Sequence, residues 1–411
     1  MPDCTRRGVK RVVSVALRAR AVGFPHECGT AGSPTRAAGR KSGNSPAAKR
    51  LHMDARVREH AEIIADHSTD IQSGDDVVIQ MPKEAEDLAV ALHEICGDRG
   101  ANPVYLNYSK RAQRAFKRSS DEFTEPSHRR ALYEEADVFI IARGGSNATE
   151  DADIDPETNA AYNRAMEEVK RTRLSKTWCL TQYPTASHAQ LAGMSTEAYE
   201  NFVWDAVSLD WDEQRAFQAE MVEILDDAEE VRIKSGEETD LTMDLSGNST
   251  LNDYGEANLP GGEVFTAPVR DGVDGEVHFD LPLYRYGREI DGVRLRFEDG
   301  EVVSHSAERN EDLLTGILDT DEGSRRLGEL GIGMNRQIDR FTYNMLFDEK
   351  MGDTVHMAVG SAYPETVGEG NEVNESAEHV DMIVDMSEDS VIEVDGEVVQ
   401  RDGTFVFEDG L

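Results

Sequence analysis

Four short segments between residues 75 and 182 are almost wholly apolar, and helix-forming or turn-forming sequence separates each from the next. They are Asp75–Gln80, Val104–Leu106, Ala136–Ala142 and Trp178–Gln182. A strand buried on one face alternates apolar and polar residues, whereas one covered on both faces reads as a continuous apolar run. Runs such as Val138-Phe139-Ile140-Ile141 therefore predict strands of a mostly parallel sheet with helices on both sides. Glu84 to Cys96, with apolar positions Leu88, Val90, Ala91 and Ile95, predicts one of those helices, stopped by Gly100-Ala101-Asn102-Pro103. Helical sequence resumes at Glu197 and runs to about Glu229.

Near Val231 the pattern changes to short alternating strands. Gly292 to Phe297, a turn at Glu298-Asp299-Gly300-Glu301, and Val302 to His305 predict a hairpin. Helical sequence over Glu311–Leu318, and again over Ser324–Leu330, interrupts these strands. The expected organisation is an α/β domain over residues 53–230 followed by a β-rich α+β domain over residues 231–411. Residues 1–52 differ from both: they carry eleven basic residues and two acids, Asp3 and Glu27. Composition shifts abruptly at Met53, so this head is expected to be a disordered basic extension outside the native fold.

From Met53 onward the chain carries 79 acidic residues against 32 basic ones, and only seven of the bases are lysine. A surface so acidic suits a salt-loaded cytosol, where screening weakens self-repulsion. It also argues against nucleic acid as a partner, because phosphate backbones select basic surfaces. No apolar run approaches the roughly 20 residues of a membrane span. The four cysteines, Cys4, Cys28, Cys96 and Cys179, are scattered without metal-ligand or redox spacing. That usage fits a reduced, cytoplasmic protein.

Common catalytic signatures are absent: no G-x-S-x-G elbow, no H-E-x-x-H and no phosphate-binding loop with lysine. Gly144-Gly145 follows a strand but lacks the rest of a dinucleotide fingerprint, and a plain turn is the better reading. The C-terminal region is more informative. In Glu378 to Met386, Val380, Met382, Val384 and Met386 form one apolar face of a strand, while His379 and Asp381 share the other. An H-x-D of this kind is more often a solvated face or an ion pair than a metal site. In Thr354 to Gly360, His356 likewise opposes an apolar face and shares its own with the small Ala358 and Gly360. Glu263 follows Gly261-Gly262, Glu329 sits among Gly328, Gly331 and Gly333, and Glu349 closes Leu346-Phe347-Asp348-Glu349. Surface charge explains any one of these acids, but the glycines suggest that backbone or substrate approaches them closely.

Residues 53–411 resemble the aminopeptidase T/aminopeptidase S family of metallo-aminopeptidases, in a form similar to haloarchaeal members. The matching segments are NLPGGEVFTAP, DTDEGSRRLGELGIG, NMLFDE, TVHMAVGSAYPE and EHVDM, preceded by TQYPTASHAQLAGMS. The resemblance implies metal ligands at Glu263, Glu329, Glu349, His356, His379 and Asp381, and an active-site tyrosine at Tyr363. It implies two divalent ions, such as zinc, cobalt or manganese, and hydrolysis of the N-terminal bond of short peptides by water activated between the ions. Glu329 is then expected to bridge the ions or take the water's proton, and Tyr363 to donate to the oxyanion. A homodimer is implied as well. Two other readings remain open: a mononuclear-iron ring-cleaving dioxygenase of the same fold, and a non-catalytic metal-stabilised dimer.

Overall fold

The computed structural model describes residues 53–285 and 287–408, and the expected basic extension over residues 1–52 lies outside them. Each of the four apolar segments forms a strand of one parallel sheet: Asp76–Met81, Asn102–Asn107, Val138–Arg143 and Thr177–Gln182. Asn102–Asn107 lies at one edge beside Asp76–Met81, followed by Val138–Arg143 and Thr177–Gln182. The helix foreseen from Glu84 spans Glu86–Arg99 after a 3-10 turn at Lys83–Ala85. Gly100 ends it in the left-handed region, at φ 78°, a conformation glycine enters without steric cost.

The long helical stretch breaks in two, Thr196–Val207 and Trp211–Asp226. Asp210 is the reason: its carboxylate accepts from the backbone N–H groups of Asp212 and Glu213 and starts a new helix. Past it, Glu230–Ser235 opens an eight-stranded antiparallel sheet that includes the foreseen hairpin, Val293–Glu298 with Glu301–Ser306. A second antiparallel sheet, five-stranded, runs in the order His379–Asp385, Thr354–Gly360, Leu327–Gly333, Glu263–Thr266, Leu251–Asp253.

The two regimes interlock. Asn258–Leu259 returns to pair in parallel with Thr177–Gln182. Leu259, Ile338, Leu346 and Phe347 are buried in the same core as Val77, Ile79 and Ile140 of the parallel sheet. Asn335, fully buried, donates to the carbonyls of Ala206 and Gly261 and so ties a helix to the start of the Glu263 strand.

One sequence expectation is corrected. Ser324–Leu330 is not a helix; a 3-10 turn at Gly323–Arg325 leads into the strand Leu327–Gly333. Leu327 and Leu330 do fit a helical period, but glycines at 328, 331 and 333 carry no side chain to favour a helix. In the strand they let neighbouring backbone and rings approach. A Cβ on Gly328 would lie 2.3 Å from the Gly360 carbonyl oxygen, and one on Gly333 2.0 Å from that of Met351.

His60 illustrates the cost of the tight N-terminal core. It is fully buried, one ring nitrogen meets Thr181 Oγ1 at 2.8 Å, and the other has no partner. Burial pushes its pKa down to about 3. The unfolded chain takes up that proton near pH 6.5 and the folded chain does not. Stability is therefore expected to fall as pH drops from about 6.5 towards 3, by up to ~1.4 kcal/mol per pH unit from this residue. Denaturant melts of wild type and His60→Gln across that range check it: the variant's curve is expected to be flatter.

Candidate metal centre

The site is one face of the five-stranded sheet. Directly paired residues of antiparallel strands put their side chains on the same side. Glu329 and Asp381 both pair with Ala358, His356 pairs with Gly331, Gly360 with His379, Gly333 with Glu263, and Glu263 with Asp253. Hence acids and histidines from five neighbouring strands share a face, with alanine and glycine between them. The opposite face, with Val264, Leu330, Ile332, Val355, Met357, Val380 and Met382, is packed into the main core. Every second residue is thus committed to the core, and the functional side chains are held by it.

The distances are short. His356 Nε2 lies 3.0 Å from Glu329 Oε1 and 3.4 Å from Glu263 Oε2. His379 Nε2 lies 3.4 Å from Asp381 Oδ1 and 3.7 Å from Glu329 Oε2. The His379 ring is oriented by its Nδ1, 2.8 Å from the Ser361 carbonyl oxygen. If Nδ1 carries the proton, Nε2 turns a lone pair to the carboxylates, as a metal ligand requires. Asp348, buried at the end of the short helix Met345–Asp348, accepts from the backbone N–H groups of Thr342 and Asn344 and fixes the turn before Glu349.

Burial and mutual charge set the electrostatics. Burial raises the carboxyl groups of Glu263 and Glu329 above the ordinary range. Burial opposes charge on His356, yet its hydrogen bond to Glu329 and the charges of Glu263 and Glu329 prevail, raising it to about 9. His379 rises to about 10, because Asp381 outweighs burial there. Asp381 stays below the usual carboxylate range: burial pushes it up, and the two histidines more than compensate.

Such a charge cluster fits a divalent cation. Glu329, His379 and Asp381 each offer a ligand atom, all within 4.8 Å of one another. Glu263 Oε2, Glu329 Oε2 and His356 Nδ1 are buried without a hydrogen-bond partner, and orphaned buried polar atoms are costly unless something satisfies them. The donor set of imidazole and carboxylate without thiolate suits borderline or hard divalent ions.

Of the six expected ligands, Glu329, His356, His379 and Asp381 converge, with Glu263 beside His356. Glu349 joins through another side chain, one absent from the sequence reasoning: Lys350. It is fully buried, its Nζ donates to Glu263 at 2.8 Å and to Glu349, and Asp253 Oδ2 lies 3.6 Å away. The ammonium is the local counter-charge for three carboxylates. Burial alone would lower its pKa, but Glu263, Glu349 and Asp253 raise it far above the ordinary value. A lysine next to an acid in an acid-rich chain gives no signal in one dimension, and Asp253 comes from the edge strand. Tyr363 is 46% exposed, with its ring edge-on to His379 at 5.3 Å. Withdrawal of its phenol from bulk water, together with Glu329 and Asp381, holds the hydroxyl protonated and able to donate.

The glycines at 261 and 262 make room for the protein's own atoms, the backbone approach that the sequence suggested among them. They admit backbone and a neighbouring side chain: a Cβ on Gly261 would lie 2.2 Å from the Gly255 nitrogen, and one on Gly262 2.4 Å from Asn335 Cβ. Gly331 faces the site itself, where an added Cβ would lie 2.0 Å from His356 Cε1. Gly331→Ala is therefore expected to force the His356 ring aside. The overpacking is expected to cost about 1–3 kcal/mol and to weaken metal retention, both read from thermal melts and bound metal after dialysis.

A family model described as thermophilic metalloprotease (M29) matches residues 53–411. The chain belongs to the M29 metalloprotease family. Aminopeptidase 2 of Geobacillus stearothermophilus is 28% identical over 406 residues, covering 85% of this chain and 97% of the relative. The structure of wild-type AmpT from Thermus thermophilus superposes with a TM-score of 0.75 at 25% identity, over 86% of this chain and 99% of that one. The architecture of an α/β parallel-sheet region followed by a β-rich region is shared with it. A 2,5-dihydroxypyridine dioxygenase from Pseudomonas putida KT2440 shares the fold, at a TM-score of 0.57 and 14% identity over 86% of this chain and 98% of that one. As an M29 member the chain is a divalent-metal peptidase.

Proposed function

We propose that this chain is a metallo-aminopeptidase that removes the N-terminal residue of short peptides, acting as a homodimer in the cytoplasm of a salt-adapted cell. The observation that carries the reading is the convergence of Glu329, His379 and Asp381, with His356 beside them, in a member of a metalloprotease family. Its relatives named as aminopeptidases, one matched over 97% of its length, support the exopeptidase class. No helix among the described residues is long and apolar enough to cross a membrane.

A divalent ion bound there supplies Lewis acidity, which polarises the scissile carbonyl and acidifies water. Glu329, His379 and Asp381 would hold it, with His356 alongside. A second ion, as the sequence resemblance implies, would take Glu263 and Glu349 and displace the Lys350 ammonium. Zinc, cobalt and manganese are the candidates. Glu329 Oε2, without a hydrogen-bond partner, is the atom assigned to accept the attacking water's proton. Tyr363 donates a hydrogen bond to the carbonyl oxygen as charge builds on it. The excess of carboxylates attracts the substrate's free α-ammonium and so selects the chain terminus.

The test is to strip metal from the full chain in molar KCl, restore zinc, cobalt or manganese, and follow release of free amino acid. Metal-restored release that is abolished by blocking the α-amine is expected. A folded, metal-loaded protein inert on every unblocked peptide, but active with iron(II) and oxygen on dihydroxylated rings, would establish the dioxygenase reading instead. A loaded protein inert on both classes would leave the non-catalytic dimer.

A further inference from the structure

A cavity of about 630 Å³ lies at the carboxyl ends of the parallel strands and is lined by Lys110, Arg129, Arg143, Lys170 and Arg173, with no aspartate or glutamate in its wall. In a chain of net charge −38 this is a local inversion. Arginines elsewhere reach carboxylates, as Arg114 does with Asp153 and Arg232 with Asp240. Among the described residues, none of these five side chains forms an ion pair within 4.0 Å. Glu349 acts on Arg143, and Asp151 and Glu150 on Lys110, only from beyond that distance. Like charges held together with no carboxylate in contact are costly, and the cost is offset when an anion binds among them.

The position is also one that open parallel sheets use for ligands. Strand order reverses between Asp76–Met81 and Val138–Arg143, because the next strand after the first lies on its other side. Ligands bind outside the carboxyl ends of the strands at such a switch point. Gln80 and Arg143, near or at the carboxyl ends of those two strands, both line the cavity. Arg143, Leu180, Tyr284 and Met345 are shared with the neighbouring cavity that holds Glu349, His379 and Asp381. The two spaces therefore adjoin, one acidic and one basic.

We propose that the basic cavity binds the C-terminal carboxylate of a short peptide whose N-terminal residue lies at the metal centre. The inference rests on the aminopeptidase reading and names its substrate class: small zwitterionic peptides, held at both ends by opposite charge. Arg143 stands where the two cavities meet and is the side chain best placed to engage the carboxylate, with the planar fork that suits it. Arg173 and Lys110 supply the surrounding field.

The test compares trialanine with trialanine amide at fixed KCl. Wild type is expected to favour the free acid by at least about tenfold in kcat/KM, mainly through KM, since hydrogen bonds to charged groups are worth that much. Arg143→Gln and Arg173→Gln are each expected to shrink the preference. Calorimetry with Glu329→Gln reads binding of acid, amide and inorganic phosphate without turnover. Equal binding of acid and amide overturns the proposal, as does phosphate binding with no discrimination between the peptides, which would mark an inorganic-anion site. A protein that hydrolyses no peptide yet binds the acid tenfold better than the amide sinks the aminopeptidase reading and leaves the carboxylate site standing.

Discussion

Glu329→Gln is expected to lower kcat/KM on short peptides by about a thousand-fold, within the range for removing a positioned general base. Glutamine keeps the volume and one carbonyl oxygen, so the strand Leu327–Gly333 and its pairing are expected to persist. What it loses is charge. Glu329 faces His356 at 3.0 Å through one oxygen, and the other oxygen, 3.7 Å from His379 Nε2, has no hydrogen-bond partner. An amide oxygen can still accept from His356, but the amide group cannot take a proton from water at neutral pH. Metal content by elemental analysis separates two ways of failing. An inactive variant that retains metal assigns Glu329 to proton transfer, and an inactive variant that has lost metal assigns it to holding the ion. Full activity with unchanged metal content would remove Glu329 from both roles.

Much of this centre is legible in one dimension because strand periodicity is strict. A period of two sends Val355, Met357 and Val359 inward and leaves His356 on the other face. The same rule separates Val380 and Met382 from His379 and Asp381. The parallel sheet is legible for the opposite reason: strands buried on both faces show no alternation at all. The Glu329 strand was hidden because its glycines break the alternation that would have revealed it, leaving two leucines at helical spacing. Lys350 and Asp253 were hidden because nothing local marks them. Each owes its role to the pairing of Asp253 with Glu263 and to burial at the end of a four-residue helix. The basic cavity was hidden too: its five cations come from three helices and one strand, and only the fold brings them together.

Lys350→Met is expected to destabilise the metal-stripped protein by about 3–5 kcal/mol, the range for removing one partner of a buried ion pair. In a domain of this size that corresponds to a fall of roughly 5–10 °C in Tm. Methionine nearly matches the volume of the lysine stem, so cavity formation contributes little. The loss is electrostatic. Glu263, Glu349 and Asp253 would face one another without the ammonium that now sits among them, and burial already holds Asp253 up at about pKa 7 even with Lys350 present. A divalent cation can replace the missing charge. Excess manganese is therefore expected to raise the Tm of Lys350→Met by more than it raises that of wild type, and a metal titration is expected to show tighter binding of the second ion in the variant. In wild type a second ion would have to displace Lys350 first. Equal Tm in chelator, and equal gains on adding manganese, would show that the ammonium neither stabilises the carboxylates nor competes with metal for them.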